Sequence, residues 1–350
     1  WKIFVVFILL GLGIIFAIPS LVYKEDTGSW YLDNRLNLGL DLQGGSYLLL
    51  EVQTDVLIKE EFENFSDTVR IISRENRVKI NNIDKQNDVL KVRFDSSEKL
   101  NTIRDEFLKN YRSVTFSITN NIASISIDDI YKKSIQDGAI KQSLEIVRKR
   151  IDESGTKEPL IQRSGRDRIL LQLPGVKDPE RIKDLLGKTA KLNFHMVDDD
   201  DTKSLSLNIA PFGRMIVSDI SNEEIKYLLE KKSRVGGENL IDAYASFDPT
   251  EGHAVSFRFD TTGAQKFGKA TSENIGKRFA VVLDGVVITA PVINSAITGG
   301  SGIITGNFTS QEATDLAVLL RAGALPAPLE IVEERSVGPG LGADSIAAGK

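Results

Sequence analysis

The chain has 350 residues, of which 41% are hydrophobic and 27% charged, so its composition is that of folded globular material rather than of a disordered tail. Its length predicts two or three domains. The net charge of -5 gives no electrostatic reason to expect a nucleic acid as partner, and the absence of cysteine excludes disulfides, thiolate nucleophiles and cysteine metal sites.

The first predicted element is an apolar helix. No charged residue occurs between Ile3 and Val22, and about 20 apolar residues at 1.5 Å each span the roughly 30 Å of a bilayer core. A cleaved signal peptide is the alternative, but such peptides have shorter apolar cores, and Pro19 sits badly for cleavage at residues 17–20. We therefore predict a retained transmembrane anchor at residues 1–24.

A first group of elements follows the anchor. The pair Gly44-Gly45 precedes an apolar run at residues 47–52 that is typical of a buried strand. After this strand the periodicity predicts a helix, two strands, a second helix and a hairpin, at residues 55–77, 78–84, 89–94, 97–109, 114–118 and 122–127.

Two further groups repeat this order. The second contains a long amphipathic helix, two strands, a helix that begins at Pro179 and a last strand, at residues 130–152, 159–162, 168–173, 179–186 and 191–197. The third contains a strand, a helix, a hairpin on Asp284-Gly285, a glycine-rich loop, a helix and a strand, at residues 254–259, 262–272, 279–283, 286–288, 299–302, 310–320 and 328–333.

Three successive β-α-β-β-α-β orders predict an α+β fold built from ferredoxin-like subdomains after the N-terminal transmembrane helix. Two segments have the composition of linkers. Residues 198–201 are four consecutive aspartates, and residues 325–328 carry two prolines that favour an extended backbone. If both segments connect the same two domains, the third group is a domain inserted through two chain segments. Such a pair of connections can act as a hinge.

No pattern of titratable residues predicts a catalytic, cofactor-binding or metal site. The chain has two histidines, and neither has a second histidine or a carboxylate at ligand spacing. The glycine motifs at 38–45 and 338–342 lack the Lys-Ser/Thr of a phosphate-binding loop, so we interpret them as turns. The basic run Arg148-Lys149-Arg150 lies on an amphipathic helix, and we interpret it as a solvated face.

Several long motifs, in order along the chain, resemble the SecD family, whose members are auxiliary subunits of the bacterial Sec export machine and belong to the RND superfamily. They include Leu-Gly-Leu-Asp-Leu-Gln-Gly-Gly at 38–45, Arg-Ile-Asp-Glu at 150–153, Leu-Leu-Gly-Lys-Thr-Ala at 185–190 and Arg-Ala-Gly-Ala-Leu-Pro-Ala-Pro-Leu at 321–329. The resemblance gives a structural role to Gly39, Asp41, Gln43, Gly44, Gly45, Pro174, Gly175, Asp284, Gly285, Gly323 and Pro326.

This resemblance implies a transport factor and not an enzyme. SecD-like proteins act with SecF beside the SecYEG channel and YajC, and they use the proton-motive force to help pull and release unfolded secreted polypeptides. No cofactor is implied. The expected location is the cell inner membrane, with the anchor in the lipid bilayer and the bulk of the chain in the periplasm. The proton pathway is expected in later transmembrane helices, outside this sequence.

The resemblance also implies a base near the membrane and a mobile head that holds the emerging polypeptide. We expect the base at residues 37–52, 136–197 and 326–337, and the head at 198–325. Residues 53–135 form an inserted α/β block, and 338–350 lead into a further transmembrane helix. The hinge candidates are Val197, Asp198, Leu325 and Pro326.

Two other functions are compatible with the sequence. One is a membrane-anchored periplasmic scaffold that binds partner proteins without moving cargo. The other is a periplasmic loop of an RND-type transporter for small hydrophobic molecules.

Overall fold

The computed structural model of the chain describes residues 1–21, 44–86, 88–156, 158–176 and 178–337, with side chains in the first helix described up to residue 14. Within these residues, no helix combines the length and the apolar character needed to cross a membrane. Residues 22–24 of the predicted anchor, 37–43 of the predicted base and the predicted lead-in at 338–350 lie outside the described residues.

The elements of the first half are, in chain order, α1 Lys2–Leu21, β1 Gly45–Val52, α2 Thr54–Glu75, β2 Ile80–Gln86, β3 Val89–Phe94, α3 Leu100–Asn110, β4 Val114–Thr119, β5 Ile122–Ile127, α4 Asp129–Glu153, β6 Leu160–Ser164, β7 Arg168–Pro174 and α5 Pro179–Gly187. Those of the second half are β8 Leu192–Met196, α6 Thr202–Ser206, β9 Arg214–Ser218, β10 Lys226–Glu230, β11 Val235–Gly236, β12 Leu240–Asp248, β13 Gly252–Phe259, α7 Thr261–Glu273, β14 Phe279–Leu283, β15 Val286–Thr289, β16 Ser301–Phe308, α8 Ser310–Ala322 and β17 Leu329–Val337.

The first unit consists of β1, α4, β6, β7, α5 and β17. Its sheet has the order β17-β1-β7-β6, and neighbouring strands are antiparallel. Alternate residues of β1, among them Leu48 and Leu50, are fully buried on one face of this sheet, and α4 and α5 contact the sheet. The element order is β-α-β-β-α-β, which is the ferredoxin-like order that was predicted, but the first strand is β1 of the first predicted group and the last strand is β17 instead of the strand predicted at 191–197.

The inserted block, residues 53–135, has its own sheet and its own core. The sheet order is β2-β3-β5-β4, and the core is dominated by four fully buried aromatic side chains of α2, α3 and β3, namely Phe62, Phe65, Phe94 and Phe107. The block therefore has the order α-β-β-α-β-β. The strand predicted as its first member, β1, pairs instead with β7 and β17. Alternation in a sequence shows which residues of a strand are buried but not which strand is its neighbour.

The second unit, β8 to α8, does not form the single ferredoxin-like sheet that was predicted for the third group. Its strands lie in a sheet of order β11-β8-β14-β15, a sheet of order β12-β13-β16 and the hairpin β9-β10. The loop predicted at 299–302 runs directly into β16. Gly302 fits there because a side chain would meet Phe257, whose Cζ lies 2.5 Å from the position of a Cβ atom.

Strand β8 corrects the predicted boundary between base and head. The strand at 191–197 was expected to stay with the base, but β8 pairs with β14 and β11 of the second unit. The chain therefore passes from the first unit to the second before β8, at residues 188–191. The register of β17, by contrast, places it against β1 in the first unit, as predicted for the base.

One continuous hydrophobic core joins the first unit to the second. It contains Leu50 and Leu171 of the first sheet, Phe194 of β8 and Leu316 of α8. Helix α8 lies between the two units, because it packs on α4 on one side and on β12 and β13 on the other. A small separate core on β8, β9, β10, β14 and β15 attaches the β9-β10 hairpin.

Candidate functional site

The predicted motif residues of the first unit meet at one end of its sheet. Gly44 and Gly45 have φ values of 72° and 140°, which favour glycine. The backbone N–H of Gly175 donates to the carbonyl oxygen of Gly44 at 3.0 Å, and Gly45 is paired with Pro174. Gly45 is also paired with the last residue of β17. The motif residues Gly39, Asp41 and Gln43 lie outside the described residues.

Two segments connect the first unit with the second, and we call them together the junction. They are residues 188–191, between α5 and β8, and residues 323–328, between α8 and β17. The backbone N–H of Leu325 donates to the carbonyl oxygen of Thr189 at 2.8 Å, and Leu325 is buried. The two crossings therefore lie side by side, with the motif residues Gly323 and Pro326 in one of them.

The side chain of Arg150 lies fully buried at the junction. Its Nη1 donates to the carbonyl oxygen of Leu185 at 2.7 Å and to that of Lys188, and its Nη2 donates to the carbonyl oxygens of Thr189 at 3.1 Å and Gly323 at 3.3 Å. Nε has no partner among the described residues. Burial lowers the pKa of Arg150 to about 10, and the charge of Asp284 opposes this decrease, so the guanidinium stays charged at neutral pH.

Asp284 contacts the same crossing from the side of the second unit. Its carboxylate accepts hydrogen bonds from the backbone N–H groups of Ala190 and Lys191 at 2.9 and 2.7 Å, and from the hydroxyl of Thr189. Asp284 and Gly285 form the turn between β14 and β15 with φ values of 49° and 85°, as expected of an Asp-Gly hairpin. The segment 188–191 is therefore held from both units. Its carbonyl oxygens accept hydrogen bonds from Arg150 of the first unit, and its amides donate to Asp284 of the second.

Sequence reasoning missed Arg150, which it placed on a solvated face with Arg148 and Lys149. The two neighbours are exposed, but Arg150 has no exposed surface. A signal was present, because Arg150 lies three and four residues after Val147 and Ile146, on the apolar stripe of α4. Helical spacing alone could have marked it as a buried cation that needs acceptors.

Two ion pairs lie beside the junction between helices. Arg181 of α5 binds Asp315 of α8 at 2.7 Å, with both side chains less than a third exposed. Arg321 of α8 binds Glu153 at the end of α4. Both pairs join the first unit to α8, so the polar contacts between the units are concentrated around the two crossings.

The hinge candidates occupy two different environments. Leu325 and Pro326 lie in the junction. Val197 forms a bridge with Leu229, and the backbone N–H of Asp198 donates to Leu228 at 2.8 Å. The side chain of Asp198 binds Arg214 at 2.7 Å. Both residues are therefore bonded within the second unit.

A group of exposed apolar side chains borders the β9-β10 hairpin, and we call it the apolar rim. It consists of Leu207, Ile209, Phe212, Ile220 and Ile225, with exposed fractions of 58, 65, 77, 52 and 48%. The Nζ of Lys226 donates to Asn208 at 2.9 Å, which holds the segment before β9 beside the start of β10. Five large apolar side chains exposed within 19 residues form a surface suited to binding apolar groups.

The described part of the chain holds no group of three or more histidine, aspartate or glutamate side chains placed to bind a metal ion. The two histidines are apart from each other in the fold. His195 is buried in β8, with Nδ1 2.8 Å from the carbonyl oxygen of Glu230, and His253 packs edge-to-face on Phe247.

Three family models match the chain. They describe the SecD/SecF GG motif at residues 33–56, the N-terminal part of the P1 domain of protein translocase subunit SecDF at 140–199, and the P1 head subdomain of SecDF at 214–327. Residues 57–139, which comprise most of the inserted block, lie between the matched segments.

Relatives match the whole chain. The protein translocase subunit SecD of Rickettsia conorii is 42% identical over 353 residues, and that of Magnetococcus marinus is 38% identical over 362; each alignment covers 100% of this chain and 68% of the relative. A solved structure of SecDF in its super-membrane-facing form is 27% identical with a TM-score of 0.54, and it covers 99% of this chain and 36% of that one.

The two SecD relatives are named as subunits of a protein translocase, which is a transport factor. At this identity and coverage, the chain belongs to the SecD family.

Proposed function

We propose that this chain binds unfolded polypeptides as they emerge during protein export and releases them on the periplasmic side. The apolar rim is the observation that carries this proposal. A surface that serves many unrelated clients cannot depend on one shaped pocket, and exposed Phe212 and Ile209 can contact apolar segments of any sequence. Strand β16, at one side of its sheet, offers backbone groups for the same purpose.

The partners in this proposal are SecF, the SecYEG channel and YajC, and the energy source is the proton-motive force. Membership of the SecD family supports these assignments. The proton pathway lies outside this sequence, because residues 3–22 contain no ionisable side chain and a proton relay in a membrane requires them. No cofactor takes part.

Residues 1–24 form the anchor in the inner membrane, and the rest of the chain lies in the periplasm. The uncharged run from Ile3 to Val22 and the exposed apolar side chains of Ile3 and Phe7 support this placement. β1 begins and β17 ends at the same end of the first sheet. In this proposal that end faces the bilayer, and residues 338–350 lead into a further membrane helix.

The first unit serves as the base, and the second unit serves as the head that moves on it. The proposed hinge therefore differs from the sequence prediction at two of its four residues. Bending occurs at residues 188–191 and 323–328, so Leu325 and Pro326 remain hinge residues, whereas Val197 and Asp198 move with the head. Their bonds to Leu229 and Arg214 support this revision.

The test compares two pairs of substitutions in a client-binding assay. Ile209→Ser with Phe212→Ser removes the most exposed side chains of the rim, and Ile130→Ser with Leu160→Ser removes exposed apolar side chains elsewhere. Crosslinking of an unfolded exported polypeptide to the rim variant should fall about tenfold, because each lost contact is worth part of the 1.5–3 kcal/mol of a buried apolar side chain. The control pair should crosslink normally. Equal crosslinking of both variants would contradict client binding and favour a static scaffold.

A further inference from the structure

The junction contains a buried cation that the proposed function does not yet use. Arg150 belongs to the first unit, and its four acceptors are backbone carbonyls of both crossings. Leu185 and Lys188 lie at the end of α5, and Gly323 caps the end of α8. One planar guanidinium therefore touches the carboxyl ends of two helices, where carbonyl groups lack helical partners and the helix dipoles favour positive charge.

The energetics of this arrangement make it sensitive to geometry. A buried charge is stable only while its hydrogen bonds are made, and among the described residues no carboxylate bonds directly to Arg150. If the crossing at Gly323 moved away from the crossing at Thr189, the guanidinium would lose the acceptor at Gly323 and remain buried with fewer hydrogen bonds. The fixed fork of the guanidinium favours one spacing of the two crossings.

We propose that Arg150 is the positioning residue of the junction, and that it sets the angle at which the second unit leaves the first by holding Thr189 and Gly323 at one spacing. Asp284 completes this arrangement from the second unit, because its carboxylate holds the amides of Ala190 and Lys191. The use of the arrangement in export rests on the proposed function, but the arrangement itself can be measured without export.

One peptide group of the first crossing is held from both units. The carbonyl oxygen of Thr189 accepts from Arg150 of the first unit, and the N–H of Ala190, in the same peptide, donates to Asp284 of the second. Ala190 has a φ of 61°, a left-handed conformation that is rare for alanine. A rotation of the second unit at this crossing therefore strains one of these two hydrogen bonds.

The experiment measures distances between spin labels in the intact chain, in which introduced cysteines are unique because the sequence has none. One pair, at Gln162 of β6 and Glu251 after β12, reports on the two units relative to each other. A second pair, at Asn222 and Glu251, lies entirely within the second unit. All three positions are exposed.

In Arg150→Met, the distribution of distances between the units should widen about twofold or more, because conformations that the hydrogen bonds excluded become populated. Arg150→Lys should widen it less, since an ammonium keeps the charge but cannot reproduce the fork. The distribution within the second unit should remain unchanged in both variants. If Arg150 had only a structural role, its substitution would lower the melting temperature but would not widen the distribution between the units while leaving the distribution within the second unit unchanged.

Asp284→Asn is the second variant, and it is expected to fold because asparagine suits the same left-handed turn position. It removes the charge that faces the crossing and should also widen the distribution between units. An unchanged distribution between the units in folded Arg150→Met would overturn the proposal. If that variant does not fold, unchanged distributions in Arg150→Lys and Asp284→Asn would overturn it instead. Unchanged client crosslinking in the rim variant, by contrast, would contradict only the proposed function.

Discussion

The inserted block and the second unit are attached to the first unit in different ways. The inserted block encloses a core of its own around Phe65 and Phe107. The second unit shares one continuous core with the first, from Leu50 of β1 through Leu316 of α8 to Phe194 of β8. A separate core makes a block that can unfold without its neighbours, whereas a shared core couples two units into one cooperative body.

This difference bears on how the second unit can move. Any rotation that separates it from the first unit exposes part of the shared core, and apolar exposure costs about 25 cal/mol per Å². Small rotations that slide α8 over its neighbours expose less than a full separation. In the proposed mechanism, the hydrogen bonds of Arg150 with the two crossings decide where rotation begins. The core of the inserted block is separate from this shared core, and the ion pairs of Asp67 with Lys231 and of Glu60 with Lys191 join the block to the second unit and to the first crossing.

The largest expected effect is the local unfolding of the inserted block in Phe65→Ala. Phe65 is fully buried and contacts the rings of Phe62, Phe107 and Tyr111, so its truncation should cost about 3–5 kcal/mol. Hydrogen exchange should accelerate in residues 54–127 and stay unchanged in the first and second units. Acceleration throughout the chain would show that the block unfolds together with the other units, which would contradict the independence of its core.

Phe194→Ala is the matched change in the shared core. Phe194 contacts the rings of Phe257, Phe259, Phe267 and Phe279, and it is nearly fully buried. We expect a cost of similar size, about 3–5 kcal/mol, but hydrogen exchange should accelerate in the first sheet as well as in the second unit. Acceleration confined to residues 192–322 would indicate that the two units unfold independently.

A smaller effect is expected from acid. Burial lowers the pKa of His195 below its ordinary value of 6.5, although the carbonyl oxygen of Glu230 works in the opposite direction. His195 therefore binds a proton more readily in the unfolded chain than in the folded chain. The stability of the second unit should consequently fall as the pH decreases below about 6.5. His195→Asn keeps a donor for Glu230 and should weaken this dependence. A dependence of equal size in the variant would assign it to other groups.

The sequence predicted local structure better than it predicted pairing. The helix predicted to begin at Pro179 does begin there, and the side chain of Asp178 caps it. The first sheet was predicted only in part, because β1, β6, β7 and β17 were assigned to the base, while the repeated element order put β1 and β17 in other groups. The position of β8 was not predicted, because alternation is the same whether a strand pairs with β14 or with β1.

The candidate site was predictable only in part. The motif residues Asp284 and Gly323 were recognised, and they lie at the junction. Arg150, which bonds Gly323 and shares Thr189 with Asp284, was interpreted as a solvated residue because it follows two exposed basic residues in the sequence. Its role depends on carbonyl groups that are 35 to 173 residues away along the chain, and local patterns carry no information about such contacts.

The central claim is that the second unit rotates on the first about the junction during export. Cysteines at Arg181 of α5 and Asp315 of α8, whose side chains are paired at 2.7 Å, can be joined by a reducible crosslinker. A pair at Asp242 and Arg258, cross-strand neighbours in the second unit, is the control. The account predicts that the first crosslink blocks export until it is reduced, while the control crosslink and both uncrosslinked variants export normally. Export at the normal rate with the first crosslink in place would contradict the account.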